Sequence, residues 1–240
     1  FNTALGYQTG DALTVGTRNV ALGYAALSSD TKGSKSVAVG INALYAQNFT
    51  SATDSFNTAV GTDAGLSVTT GVKNTLIGGL AGDALTDADN NVAIGYQALT
   101  TEDIGSRTVA IGYQALFAQN SATATDTYNT AVGTLAGAEV TTGTQNTIVG
   151  GLAADALTIG FHNVAIGVDA LSTDTAGNKS VAMGRSALAN QNFTTATDSH
   201  NTAVGYFAGA SITTGAENTS LGAATATSLT TGVANTFVGF

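Results

Sequence analysis

The five residues Asn-Thr-Ala-Val-Gly occur at Asn129–Gly133 and again at Asn201–Gly205, and variants of the phrase fill the chain. Its glycine falls at Gly6, Gly23, Gly40, Gly61, Gly78, Gly95, Gly112, Gly133, Gly150, Gly167, Gly184, Gly205, Gly222 and Gly239. The spacing is 17 residues, except that every fourth interval is 21, so a super-repeat of 72 is laid over the short one. A fixed short period along a whole chain specifies a solenoid, in which each coil rests mainly on its neighbours. Residues 1–240 therefore read as a single repeat array without an internal domain boundary.

Composition agrees with this. Charged residues are 10% of the chain, against about 25% in ordinary domains. There are 30 Gly, no Pro and no Cys, so disulfides are excluded. The net charge of −9 weighs against a nucleic-acid partner. No apolar run is long enough for a membrane-spanning helix. Phe1 and Phe240 abut the repeat directly, without a polar cap. That suggests a piece of a longer chain, or of a fibre stacked end to end.

Within the motif, the residue before the glycine is always apolar, and Thr or Val stands two positions earlier. Alternate strand residues share a face. These two columns are expected inside the coil, which would bury Val60, Ile94, Ile111, Val132 and Ile166. Between them runs a column that is Ala in ten of fourteen coils. It reads as a second, tightly packed surface. Val early in the motif goes with Leu four residues after the glycine, and Thr goes with Gly or Ala there, so full and lean coils come in pairs. A second glycine ten residues after the first marks a turn with positive φ or close backbone approach. Eleven motifs begin with Asn. In register, those side chains are expected to hydrogen-bond up the stack.

Each 21-residue coil adds four residues, and these extensions are the expected contact points for a receptor or glycan. The candidates are Gln47, Asn48, Phe49, Gln119, Asn120, Gln191, Asn192 and Phe193. Asn48-Phe49-Thr50 is also a formal glycosylation sequon. Asp54, Asp126 and Asp198 read as turn residues in the place of the second glycine. One Asp per four coils is too few for calcium, which takes six to eight oxygens. Five residues before the motif glycine runs a mixed column holding Arg18, Lys35, Lys73, Arg107, Lys179 and both histidines, His162 and His200. It reads as a solvated turn, with a ligand-contacting stripe as the alternative. No nucleophile–base grouping, paired-carboxylate cleft or phosphate loop is present. Catalysis, a cofactor and a metal are not expected.

Ser36-Val37-Ala38-Val39-Gly40, Asn91-Val92-Ala93-Ile94-Gly95 and Ser180-Val181-Ala182-Met183-Gly184 resemble the repeats of YadA-like trimeric adhesin heads. The longer phrase, with Thr-Thr-Gly and the next Asn-Thr, is similar to repeats in phage tail fibres that precede endosialidase-type chaperone domains. The resemblance covers the whole chain. It implies an all-β, left-handed parallel β-roll assembled as a parallel homotrimer. The Ala column, including Ala38, Ala59, Ala93, Ala110, Ala131, Ala165 and Ala203, would then lie near the trimer axis. The coils here are longer than the usual adhesin coil, and no stalk, anchor or chaperone domain is recognisable. The expected function is a structural and adhesive segment of an extracellular trimeric fibre. A phage tail fibre is the first choice, with a bacterial surface adhesin as the alternative and an ice-binding solenoid behind both. Its partners would be copies of itself and a host-surface glycan or protein, with no insertion into a membrane.

Overall fold

The computed structural model describes all residues from Phe1 to Phe240. It is all-β, without a helix: a parallel β-solenoid of fourteen turns, each with one three-residue motif strand. Two compact units are present. The first comprises Phe1–Gln114 with Asn120–Thr127, and the second Ala115–Gln119 with Tyr128–Phe240. In the first, the strands run in chain order from Thr3–Leu5 to Val109–Ile111, and in the second from Thr130–Val132 to Thr236–Val238. Pairing is parallel and in register, as in Ala93↔Ala110 and Thr147↔Val164.

The motif glycine is dictated by geometry. Its φ lies between +122° and +143°, a region closed to residues with a side chain. A Cβ on Gly150 would stand 2.6 Å from the carbonyl oxygen of Gly167, one coil on. The second glycine has a different reason. Gly143 has no positive φ, but a Cβ there would strike the carbonyl oxygen of Gly160. Three further positions per coil turn the chain through left-handed conformations. Residues such as Gln97 (φ 55°), Leu99 (φ 55°) and Arg107 (φ 60°) occupy them, although non-glycine residues seldom do.

The two faces of the strand are the reverse of the sequence expectation. The middle residue of each inner strand is the buried one: Ala38, Ala59, Ala93, Ala110, Ala131, Ala165 and Ala203 have no accessible surface in the single chain. Their neighbours point outward. Val60, Ile94, Ile111, Val132 and Ile166 are only half-buried, and Leu22, Ile77 and Met183 are exposed. The cause is the width of the coil. Its interior is filled from the far side, by Leu27, Leu44, Leu99, Leu116, Leu171 and Leu188 four residues after the motif glycine. Only a methyl group fits opposite them.

Lean coils make the same exchange of volume in the opposite sense. Gly65 and Gly137 replace the Leu in coils that keep Ala59 and Ala131, and in the coils that follow Leu76 and Ile148 replace the Ala. A Cβ on Gly65 would stand 2.7 Å from Leu76 Cδ1, and one on Gly137 2.8 Å from Ile148 Cδ1. Val68, Leu85, Val140, Leu157 and Ile212, seven residues after the glycine, complete the lean interior. Such trading of large for small side chains keeps the packing dense.

Two polar ladders tie successive coils together. Asn74 donates from Nδ2 to the carbonyl of Ala88 at 2.8 Å, and its Oδ1 accepts the backbone N–H of Asn91 at 2.9 Å. Asn57, Asn146, Asn163 and Asn201 repeat the arrangement. The expected Asn ladder is thus present, and it is buried. The second ladder has no counterpart in the sequence reading. Thr69, Thr86, Thr141 and Thr158 each donate a hydroxyl to a backbone carbonyl 17 residues on.

The four extra residues of a long coil are split. Gly33 pairs with Thr53, an offset of 20, whereas Val37 pairs with Thr58, an offset of 21. Three residues therefore form the loop Thr50–Ala52, and one is absorbed as a bulge near Phe56. The second unit repeats this with Gly177↔Thr197 and Val181↔Thr202. Asp54 and Asp198 accordingly align with Ser34 and Asn178, one residue past the second glycine and not in its place.

Candidate functional surfaces: the long coils and the outward strip

Most of the proposed contact residues of the long coils face inward. Gln47, Phe49, Gln119, Gln191 and Phe193 are buried; only Asn48, Asn120 and Asn192 are exposed. Gln47 is a junction. Its Nε2 donates to Asp30 Oδ2 at 2.6 Å and to Ser36 Oγ at 2.9 Å, and its Oε1 accepts Asn57 Nδ2 at 2.8 Å. Ser36 and Ser55 share a hydroxyl contact of 2.5 Å. Asp30 Oδ1 receives the backbone N–H of Gly33 at 2.8 Å. Gln191 holds the same network with Asp174, Ser180 and Asn201.

The motif Asn is replaced by Ser36, Thr108 and Ser180 in the coils bearing these networks. At Ser36 and Ser180 the glutamine amide fills the space that the shorter side chain leaves. Burial is the chief cause that raises the Asp174 carboxyl above the usual range, opposed by the bonds from Gln191, Phe193 and Gly177.

The middle long coil solves the same problem with different residues. Glu102 stands where the others have Asp, and Ser121 where they have Phe49 and Phe193. The longer carboxylate still accepts Gly105 N–H at 2.8 Å, and it reaches the backbone and hydroxyl of Ser121 at 3.1 and 3.0 Å. One substitution compensates the other. The sequence reading missed Asp30, Glu102 and Asp174. Their recurrence at a spacing of 72, together with Gln47, Gln119 and Gln191, is the signal that marks them.

What the long coils do expose is the loop tips, Thr50–Ala52, 122–124 and 194–196, and an aromatic at the bulge: Phe56, Tyr128 or His200. Beside the bulges lie the ion pairs Lys35–Asp54 at 2.6 Å, Arg107–Asp126, and Lys179–Asp198 at 2.5 Å. Lys35 Nζ also stands 4.8 Å from the centre of the Phe56 ring. The hydrogen bond from Lys179 holds the exposed Asp198 carboxyl below the usual range. Three members of the mixed basic column are thereby paired with the insertions. No group of three or more His, Cys, Asp or Glu that could hold a metal ion occurs.

The second surface is the outward side of the motif strands. In the first unit, Val37, Val39, Val60, Val92, Ile94 and Ile111 lie on it, with Thr58 and Thr75 among them, and in the second Val132, Val149, Val164, Ile166 and Val204, with Thr130, Thr147 and Thr202. Stacked tyrosines follow directly after the glycine: Tyr7 with Tyr24 at 5.7 Å and Tyr96 with Tyr113 at 6.0 Å. The Ala side chains named for a trimer axis contribute nothing to this side, because they lie within the coil.

Comparison with protein-family models, curated proteins and solved structures finds no match.

Proposed function

We propose that the chain is a structural and adhesive segment of an extracellular homotrimeric fibre, of the phage tail-fibre kind, that contributes to attachment at a host surface. A bacterial trimeric surface adhesin is the alternative setting. The observation that carries the reading is the outward column of Val, Ile, Leu and, at Met183, Met, repeated coil after coil in each unit. Single chains seldom expose a continuous apolar surface of this sort. Parallel copies related by cyclic symmetry would set identical columns against one another and cover it. The choice of three copies rests on the resemblance to trimeric adhesin and tail-fibre repeats. The axis would be lined by the Val/Thr and Ile/Val/Leu columns, in place of the Ala column expected from sequence.

Neighbouring residues of one strand test this. Ile94→Arg, on the outward face, is expected to yield folded chains of lower mass by light scattering. Ala93→Arg, inside the coil, is expected to unfold the chain. An Ile94→Arg chain that assembles like wild type removes the proposed interface.

Ice binding is the second reading, and one observation favours it more than the sequence did. Thr58, Thr75, Thr130 and Thr147 lie on the outward side, not inside. They alternate in pairs with Val92, Val109, Val164 and Val181, however, so the hydroxyl rank is interrupted. The other threonine rank spends its hydroxyls on coil-to-coil bonds. A stable monomer that inhibits ice recrystallisation would favour this second reading.

A further inference from the structure

The face beside the tyrosine column carries a cleft of about 310 Å³ lined by Gln8, Tyr24, Ala25, Asn42, Tyr45 and Leu66. We infer that it is a binding site for a neutral saccharide. The inference gives a ligand class to the attachment reading and rests on it. It does not need the homotrimer, since every lining residue belongs to one chain.

The cleft exists because of one small side chain. Two residues after the motif glycine, most coils carry a longer side chain, and two neighbouring pairs are joined there: Asn42 Nδ2 to Asp63 Oδ1 at 2.9 Å, and Gln114 Nε2 to Gln97 Oε1 at 2.9 Å. Ala25 interrupts that row between Gln8 and Asn42. Its 72-residue counterpart is Gln97, with nearly the same backbone (φ 53° and 55°), so the same place is filled in the next super-repeat.

The walls suit a sugar. Tyr24 and Tyr45 expose 51% and 44% of their surface, while Ala25 lies buried at the floor. Stacking on Tyr7 at 5.7 Å braces the Tyr24 ring. Tyrosine offers a flat apolar face with a hydroxyl at its tip, which matches the C–H face of a pyranose and its ring of hydroxyls. Gln8 makes no side-chain hydrogen bond within the chain, and Asn42 donates through Nδ2 alone, so an amide and a carbonyl oxygen remain for sugar hydroxyls. A few polar groups on an apolar floor, at the lower end of small-molecule site volumes, is the usual make-up of such a site. No cation lines the cleft and the chain carries −9, which disfavours acidic sugars. Tyr45 becomes Phe117 and then Ala189 in the later super-repeats, so the site belongs to the first.

Saturation-transfer NMR and calorimetry on the purified native assembly would test this, with maltotriose, cellotriose, chitotriose and N-acetyllactosamine as probes and sialyllactose as the charged control. At least one neutral probe is expected to bind at millimolar concentration or tighter. Ala25→Gln copies the chain's own second super-repeat and is expected to weaken that binding ~10-fold or more with an unchanged circular dichroism spectrum. Tyr45→Ala is expected to do the same. Absence of binding by every neutral probe, binding of sialyllactose alone, or full binding by Ala25→Gln would each overturn the inference. Mass measured on the same sample reports separately on self-association, so failure of one leaves the other standing.

Discussion

Asn57 Nδ2 lies 2.8 Å from Gln47 Oε1, which joins the start of one motif to the interior of the preceding long coil. The bond shows what the four-residue extensions are built around. Gln47 sits below the exposed loop tip and neutralises the hydrogen-bonding demand of Asp30, Ser36 and Asn57 at once. The extension is therefore anchored by the residue that a surface reading would have offered to a ligand.

Gln47→Ala should consequently behave as a core mutation. It leaves a buried carboxylate oxygen and a buried amide short of a partner, and each orphaned group costs about 1–3 kcal/mol. Urea unfolding should show a loss of roughly 2–4 kcal/mol. Asn48→Ala, at the exposed neighbour, should cost under about 1 kcal/mol.

Gly150 and Gly151 are adjacent but are required to different degrees. Gly150 has φ +135°, and a Cβ there would stand 2.6 Å from the Gly167 carbonyl oxygen. Around Gly151 the nearest atom to such a Cβ is 3.9 Å away, at the Thr134 carbonyl oxygen, and its φ is not positive. Gly150→Ala should cost about 3 kcal/mol or more. Gly151→Ala should be neutral or stabilise by under about 1 kcal/mol. Thermal melts of the two variants decide it.

Stability should decline as pH rises out of the acid range. Burial is the leading cause that raises Asp174, and likewise Asp83 and Asp155, above the ordinary value of 3.8. The folded chain then holds these protons more tightly than the unfolded one, so between 3.8 and the raised folded values stability falls with increasing pH. Asp198 acts with the opposite sign, since its folded value is lowered, but it is fully exposed and solvent screens its share. The urea midpoint should be higher just above the ordinary aspartate range than near neutrality. Asp174→Asn should flatten that slope.

Much of the fold was legible because the repeat is strict. The period placed every motif strand, the parallel register and the turn glycines, and the Asn column announced its ladder. The inside of the coil was not legible from alternation, which shows that Val92 and Ile94 share a side while Ala93 takes the other. It does not say which side is in. Hydrophobicity pointed to Ile94, but the volume of Leu99 across the narrow coil leaves room only for the methyl of Ala93. The middle column held the clue: Leu76 and Ile148 replace its Ala only in coils where Gly82 or Ala154 replaces the Leu, as two side chains sharing one interior would. The buried role of Gln47 and Gln191 was hidden for a related reason. A polar residue beside an insertion resembles a surface residue until its partners, Asp30 and Asp174, are seen to be equally buried.

The outward placement of Ile94 and its column, and their burial between copies, is tested most directly by the mass of the wild-type chain in solution. Sedimentation equilibrium over a range of concentrations should give three times the chain mass of 23.7 kDa, with no dissociation at moderate dilution. A soluble species at the single-chain mass throughout would contradict the proposed assembly.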